Sequence, residues 1–207
     1  MIYETNYGFA PEHKNLRRFN NFLTLIVIGF GIYLIIMPML PQITFEYEKR
    51  TGKISDKIIY SNNNAPGTKP IPQDNRLVIP QMGLDAEIFE SKDSSALKKG
   101  MWRRPKTSTP DKGGNTVIAG HRFLYKDPTS AIFYHLDKVK VGDEFALYWQ
   151  GKEYKYKVET IKTVEPSQTD IEENTTDPIL TLYTCTPLWT SKQRLVIISK
   201  PISGDFQ

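Results

Sequence analysis

Phe145-Ala-Leu-Tyr-Trp149 and, past a turn at Gly151, Tyr154-Lys-Tyr-Lys-Val-Glu159 decide how the folded part of this chain is built. In the first run Phe145, Leu147 and Trp149 alternate with smaller or mixed residues. In the second, Tyr154, Tyr156 and Val158 alternate with Lys155, Lys157 and Glu159. A period of two puts one set on a core face and the other toward water, so the pair predicts a β-hairpin. Around it lie further short apolar runs: Leu77 to Ile79, Ala86 to Phe89, Thr116 to Ala119, Ile179 to Thr184 and Leu195 to Ser199. Ser94 to Lys99 predicts a short helix capped by Asp93, and Ala131 to Leu136 a short helical turn. With seven or eight strands and no long helix among them, the expected architecture is a compact mixed β-barrel or sandwich, with no internal repeat.

The N-terminal part is of another kind. Phe22 to Leu40 are nineteen residues without a charge, which at about 1.5 Å per residue reach roughly 28 Å, close to the hydrocarbon thickness of a bilayer. No small-residue cleavage pattern follows, and a core helix seldom lacks a polar face, so a single membrane-spanning helix fits best, with Pro38 and Pro41 marking its exit end. Lys14, Arg17 and Arg18 before the span favour a cytoplasmic N-terminus, against Lys49 and Arg50 mixed with Glu46 and Glu48 on the other flank. Ser61 to Pro72 crowds together three asparagines, one glycine and three prolines, the composition of a tether. The expected division is a cytoplasmic tail over 1–21, a transmembrane anchor over 22–41, an extracellular polar tether over 42–74 and one folded domain over 75–207.

Charge excludes one class of partner. Twenty-seven basic against 23 acidic residues leave a net charge of +4, too slight and too dispersed for nucleic-acid binding. One cysteine, Cys185, rules out an internal disulfide and leaves an inert buried thiol or a reactive one. Free cysteines are commonly buried, but Cys185 stands where a strand gives way to the loop opening with Thr186 and Pro187, and such ends present side chains to solvent. A thiolate nucleophile needs a proton acceptor or a cation beside it. His13 falls before the span, and His135 sits in an apolar turn that reads as a packed or surface histidine. His121, after a buried strand and between Gly120 and Arg122, is the better partner. Arg194 begins the strand after the cysteine loop, so a hairpin would return it beside Cys185, where a guanidinium could stabilise a developing oxyanion.

Asn115-Thr-Val-Ile-Ala-Gly-His-Arg122, Leu180-Thr-Leu-Tyr-Thr-Cys-Thr-Pro187 and Arg194-Leu-Val-Ile197 resemble the three signature stretches of the sortase family, and Phe133 to Leu136 with Val141-Gly-Asp143 resembles its middle segment. The resemblance covers roughly residues 75 to 201. It implies a sortase-type closed β-barrel and a two-step transpeptidation that needs no cofactor or metal. Cys185 would attack a Leu-Pro-x-Thr-Gly-like sorting signal near the C-terminus of a secreted protein. His121 would act as acid and base, Arg194 would hold the substrate and its oxyanion, and Thr184 would add a polar contact. The acceptor would be an amine from a cell-wall crossbridge or a pilin lysine, in a Gram-positive-like bacterium. Tyr183 departs from the smaller or branched residue of many relatives and leaves the subclass open. Asp170, Glu172, Glu173 and Asp177 lie where some family members bind a regulatory calcium ion, although their spacing reads better as a solvated loop. Two other readings stand beside this one: a cysteine protease (hydrolase) specific for the same signal, and a membrane-tethered binding module without turnover.

Overall fold

The computed structural model describes residues 14–52, 60, 69–123 and 132–204, and the chain divides into two compact units that meet between Gln42 and Ile43. α1 runs from Lys14 to Ile36 and passes through a 3-10 turn, Met37–Met39, into α2, Leu40–Arg50, which crosses the boundary so that Ile43–Arg50 belong to the second unit. The helix thus starts earlier and extends further than the charge-free run. Pro38 and Pro41 do not end it, because each falls in the first turn of a helical element, where a missing N–H costs little. Asn15–Arg50 is long and apolar enough to cross a membrane, and Leu25, Val27 and Ile35 are each about two-thirds exposed. The predicted turn-rich tether begins only after α2, and most of it lies outside the described residues.

The second unit is a closed barrel of eight strands: β1 (Arg76–Ile79), β2 (Leu84–Glu90), β3 (Met101–Arg103), β4 (Asn115–Ala119), β5 (Glu144–Trp149), β6 (Lys152–Val164), β7 (Ile179–Thr186) and β8 (Gln193–Ser203). Their order around the barrel is β1-β2-β3-β4-β7-β8-β6-β5, with β5 pairing back onto β1. Closure excludes the open sandwich and leaves no unpaired edge. The predicted hairpin is β5–β6, turning at Gln150 and Gly151, both at positive φ (50° and 74°) as a tight primed turn requires. β3 escapes the period-two reading because three residues are too few to show alternation. Asp93 caps Ser94–Lys98 as expected, in a 3-10 turn, by accepting from the Ser95 N–H at 2.9 Å.

Inward-facing Leu77, Ile79, Met101, Ile118, Leu147, Trp149, Tyr154, Leu180, Leu182 and Ile197 form the main core. Burying each such side chain contributes about 1.5–3 kcal/mol. A smaller cluster, Val164, Ile171 and Val196 with Tyr183 and Ile198 against it, lies on the opposite face of β7 and β8. There the β6–β7 connection folds over the barrel wall. Tyr60 also sits on the barrel: its hydroxyl donates to Asp85 at 2.8 Å and its ring meets Tyr148 edge-on at 5.1 Å. His135 is buried between Phe45 and Tyr134, with ring centroids 4.2 and 4.8 Å away, which fits the packed role read from its apolar neighbours.

Candidate active site

Three adjacent strands deliver the three singled-out residues to one end of the barrel. β4 and β7 run parallel with Ala119 level with Tyr183, and the Gly120 N–H donates to the Tyr183 carbonyl at 3.2 Å. His121 and Cys185 follow two residues beyond that last pair, and both line one cleft. β7 and β8 run antiparallel with Cys185 directly opposite Arg194. Side chains alternate across a strand, so Tyr183 and Cys185 share the outer face while Leu182 and Thr184 point inward.

Supports behind the site are specific. A Cβ on Gly120 would stand 2.6 Å from the Phe133 ring, and Phe133 is itself fully buried and donates its N–H to the His121 carbonyl at 3.0 Å. Only glycine lets the strand leading to His121 pass so close to that ring. Thr184, 1% exposed, donates its hydroxyl to the Gly120 carbonyl at 2.7 Å. Its side chain is thereby engaged in joining the ends of β4 and β7. Arg122 reaches Thr186 Oγ1 at 2.9 Å and Asp137 at 3.1 Å, tying the segment after His121 to the end of β7.

His121, Cys185, Thr184 and Arg194 line a single cleft of about 230 Å³, walled by Leu97, Trp102, Arg104, Ala119, Gly120 and Tyr183. A larger hollow of about 560 Å³ beside Phe45, Lys49 and Lys138 contains neither a thiol nor an imidazole, so size alone does not locate the chemistry. Cys185 is partly exposed. Burial holds the His121 imidazole below its ordinary pKa of 6.5, because desolvation disfavours the cation. The Arg194 guanidinium donates to the backbone carbonyls of Ser191 (3.2 Å) and Gln193 (3.0 Å) and pairs with no carboxylate among the described residues. A thiol, a largely neutral imidazole and an uncompensated cation on one concave surface can perform nucleophilic acyl chemistry.

Trp102, Arg104 and Leu97 were not singled out from the sequence. The alternation of Trp102 and Arg104 about Arg103 is the one local sign, and β3 is too short to make it legible. Glu172 also differs from the solvated-loop reading: it accepts from Arg104 Nε at 2.8 Å and from the Tyr183 hydroxyl at 2.6 Å.

A family model described as the sortase domain matches residues 77–202, the barrel from β1 to the end of β8. The chain belongs to the sortase family. Among curated sortases it is similar to sortase SrtE1 of Streptomyces coelicolor, 33% identical over 111 residues (47% of this chain, 29% of that protein), and to sortase A of Bacillus anthracis, 27% identical over 122 residues (59% and 56%). The chain therefore spans less than two-thirds of the length of these relatives. Among solved structures, sortase C-1 from Actinomyces oris matches with a TM-score of 0.58 at 31% identity, covering 64% of this chain and 76% of that one. Sortase C1 of GBS Pilus Island 1 matches with a TM-score of 0.58 at 28% identity, covering 78% and 81%. These sortases carry different class letters, and the family assignment leaves the subclass of this chain open.

Proposed function

We propose that this sortase is a membrane-anchored cysteine transpeptidase. It cleaves a Leu-Pro-x-Thr-Gly-like sorting signal of secreted proteins and passes the acyl group to an amine of a cell-wall peptide or a pilin lysine. The observation that carries the reading is the register: Cys185 opposite Arg194 across β7 and β8, with His121 at the end of parallel β4.

In the first step the Cys185 thiolate adds to the threonine carbonyl carbon. The carbonyl π electrons move to oxygen, and Arg194 stabilises the resulting oxyanion. Collapse breaks the Thr–Gly C–N bond, and the His121 imidazolium gives its proton to the departing glycine amine. A thioester links enzyme and substrate. In the second step the acceptor amine adds to the thioester carbonyl and His121, now neutral, takes its proton. Collapse forms the new amide and releases the thiolate. The proton gained from the acceptor restores the imidazolium, so the cycle closes. Burial disfavours the His121 cation, so the imidazolium that protonates the leaving amine is the smaller share at neutral pH.

The apolar helix supports a single membrane span. Lys14, Arg17 and Arg18 support an N-terminus in the cytoplasm and a barrel outside. The test is mass spectrometry of the full-length chain in detergent micelles with a Leu-Pro-x-Thr-Gly peptide and triglycine, beside Cys185→Ala. A ligated peptide that disappears in the variant supports transpeptidation. Hydrolysed peptide alone would replace it with a protease, and a Cys185 inert to a thiol reagent would replace it with a binding module.

A further inference from the structure

A second arginine lines the cleft and has donors to spare. Arg104 lies two residues beyond Trp102 on the same face of the barrel, with its guanidinium carbon 4.1 Å from the centre of the Trp102 ring. The indole is itself fixed, its Nε1–H donating to the Ser91 carbonyl at 3.0 Å. Arg104 Nε is spent on Glu172 Oε1 at 2.8 Å, and the same oxygen accepts the Tyr183 hydroxyl at 2.6 Å. The two terminal nitrogens of Arg104 make no hydrogen bond with any described residue, and the side chain, ion-paired to Glu172 through Nε, is 26% exposed. Stacking and the Nε bond thus set the plane of the fork and leave its two-pronged edge unengaged, the arrangement that takes a carboxylate in a bidentate grip. Among charges lining the cleft or touching those that do, Arg104 and Arg194 stand against Glu172 alone, so a positive charge remains before His121 titrates.

We infer that Arg104 forms a carboxylate-binding subsite of this cleft, so that the sortase selects a substrate bearing an acidic group near the reacting bond. The inference rests on reading the cleft as a transpeptidase site. Its ligand chemistry is a carboxylate carried by the acyl donor, as an acidic residue within the sorting signal, or by the acceptor amine. Tyr183, whose hydroxyl shares the Glu172 oxygen, is a positioning residue for this subsite.

The experiment uses the full-length chain in detergent micelles. For the donor arm, the Cys185→Ala protein is titrated with fluorescein-labelled Leu-Pro-Glu-Thr-Gly and Leu-Pro-Gln-Thr-Gly peptides and followed by anisotropy. For the acceptor arm, the active chain is offered Nα-acetyl-lysine and N-acetyl-1,5-diaminopentane in competition; these amines differ only in the carboxylate, and mass spectrometry counts the two products. The expected result is a preference of about tenfold for the carboxylate form in one arm, which names the source. Arg104→Gln should bring that ratio to about one, and Arg104→Lys should retain part of it. Because Arg104→Gln also strands Glu172, Glu172→Gln provides a second variant: it removes the competing carboxylate and should strengthen the preference. Ratios near one in both arms, a preference that survives Arg104→Gln, equal losses for both ligands in that variant, or a preference weakened or unmoved by Glu172→Gln would each overturn the subsite. Carboxylate-selective binding without transfer would count against the transpeptidase reading and leave the subsite standing, whereas absence of both binding and transfer overturns the two together.

Discussion

Gly120 shows how narrowly a single position can be constrained near the site. A methyl group there would stand 2.6 Å from the fully buried Phe133 ring, so the ring or the strand must shift to admit it. Gly120→Ala should cost about 1–3 kcal/mol of stability by overpacking. It should also displace His121, so that transfer falls by more than the loss of folded protein accounts for; denaturant unfolding and transfer assays on the same sample separate the two. Arg194→Gln should lower kcat/KM by about 10²–10³-fold, while labelling of Cys185 by a thiol reagent stays at its original rate. His121 makes a pH prediction of definite sign. Its folded pKa lies below 6.5 because burial disfavours the cation, so between 6.5 and that lower value the unfolded chain binds more protons than the folded one. Stability is then lost as pH falls through this window and levels off below it. Denaturant midpoints collected from pH 8 to 4.5 should show this loss in the parent chain and a shallower one in His121→Gln.

Among the elements, the β6–β7 connection depends on Asn115 at the start of β4. Asn115 is 3% exposed; its Nδ2 donates to the carbonyls of Ile171 (3.0 Å) and Glu173 (2.9 Å), and its Oδ1 accepts from Thr181 Oγ1 at 2.8 Å. One amide therefore fastens the connection to two strands, and the connection in turn carries Glu172 to Arg104 and Tyr183. Asn115→Ala leaves two carbonyls and a hydroxyl without their partner and should cost about 2–4 kcal/mol. Hydrogen exchange should quicken across residues 165–178 well before β5 and β6 respond. That selective response distinguishes a loosened connection from general unfolding.

At the scale of the whole chain, an apolar helix long enough to cross a membrane precedes a barrel whose core is filled by its own strands, and the proposed membrane orientation is open to direct test. Protease treatment of intact cells should remove the barrel while sparing an epitope tag placed before Lys14; protection of the barrel would reverse the proposed orientation. Periodicity, composition and short signatures are properties of neighbours along the chain. For that reason the hairpin β5–β6, the strands flanking it, the apolar span and the candidates His121, Cys185 and Arg194 could be read from the amino-acid order alone. What the order could not express is which strands lie side by side. Closure of β5 onto β1, the parallel contact of β4 with β7, and the meeting of Arg104, Glu172 and Tyr183 from three separate elements join directly paired residues as far as 72 positions apart, Arg76 and Tyr148. The helix running through Pro38 and Pro41 was hidden for the same reason, since a proline's cost depends on its place within a turn. Local chemistry determined what each segment could be, and tertiary packing decided which side chains share a cleft, because only closure of the barrel brings distant strands within reach of one another.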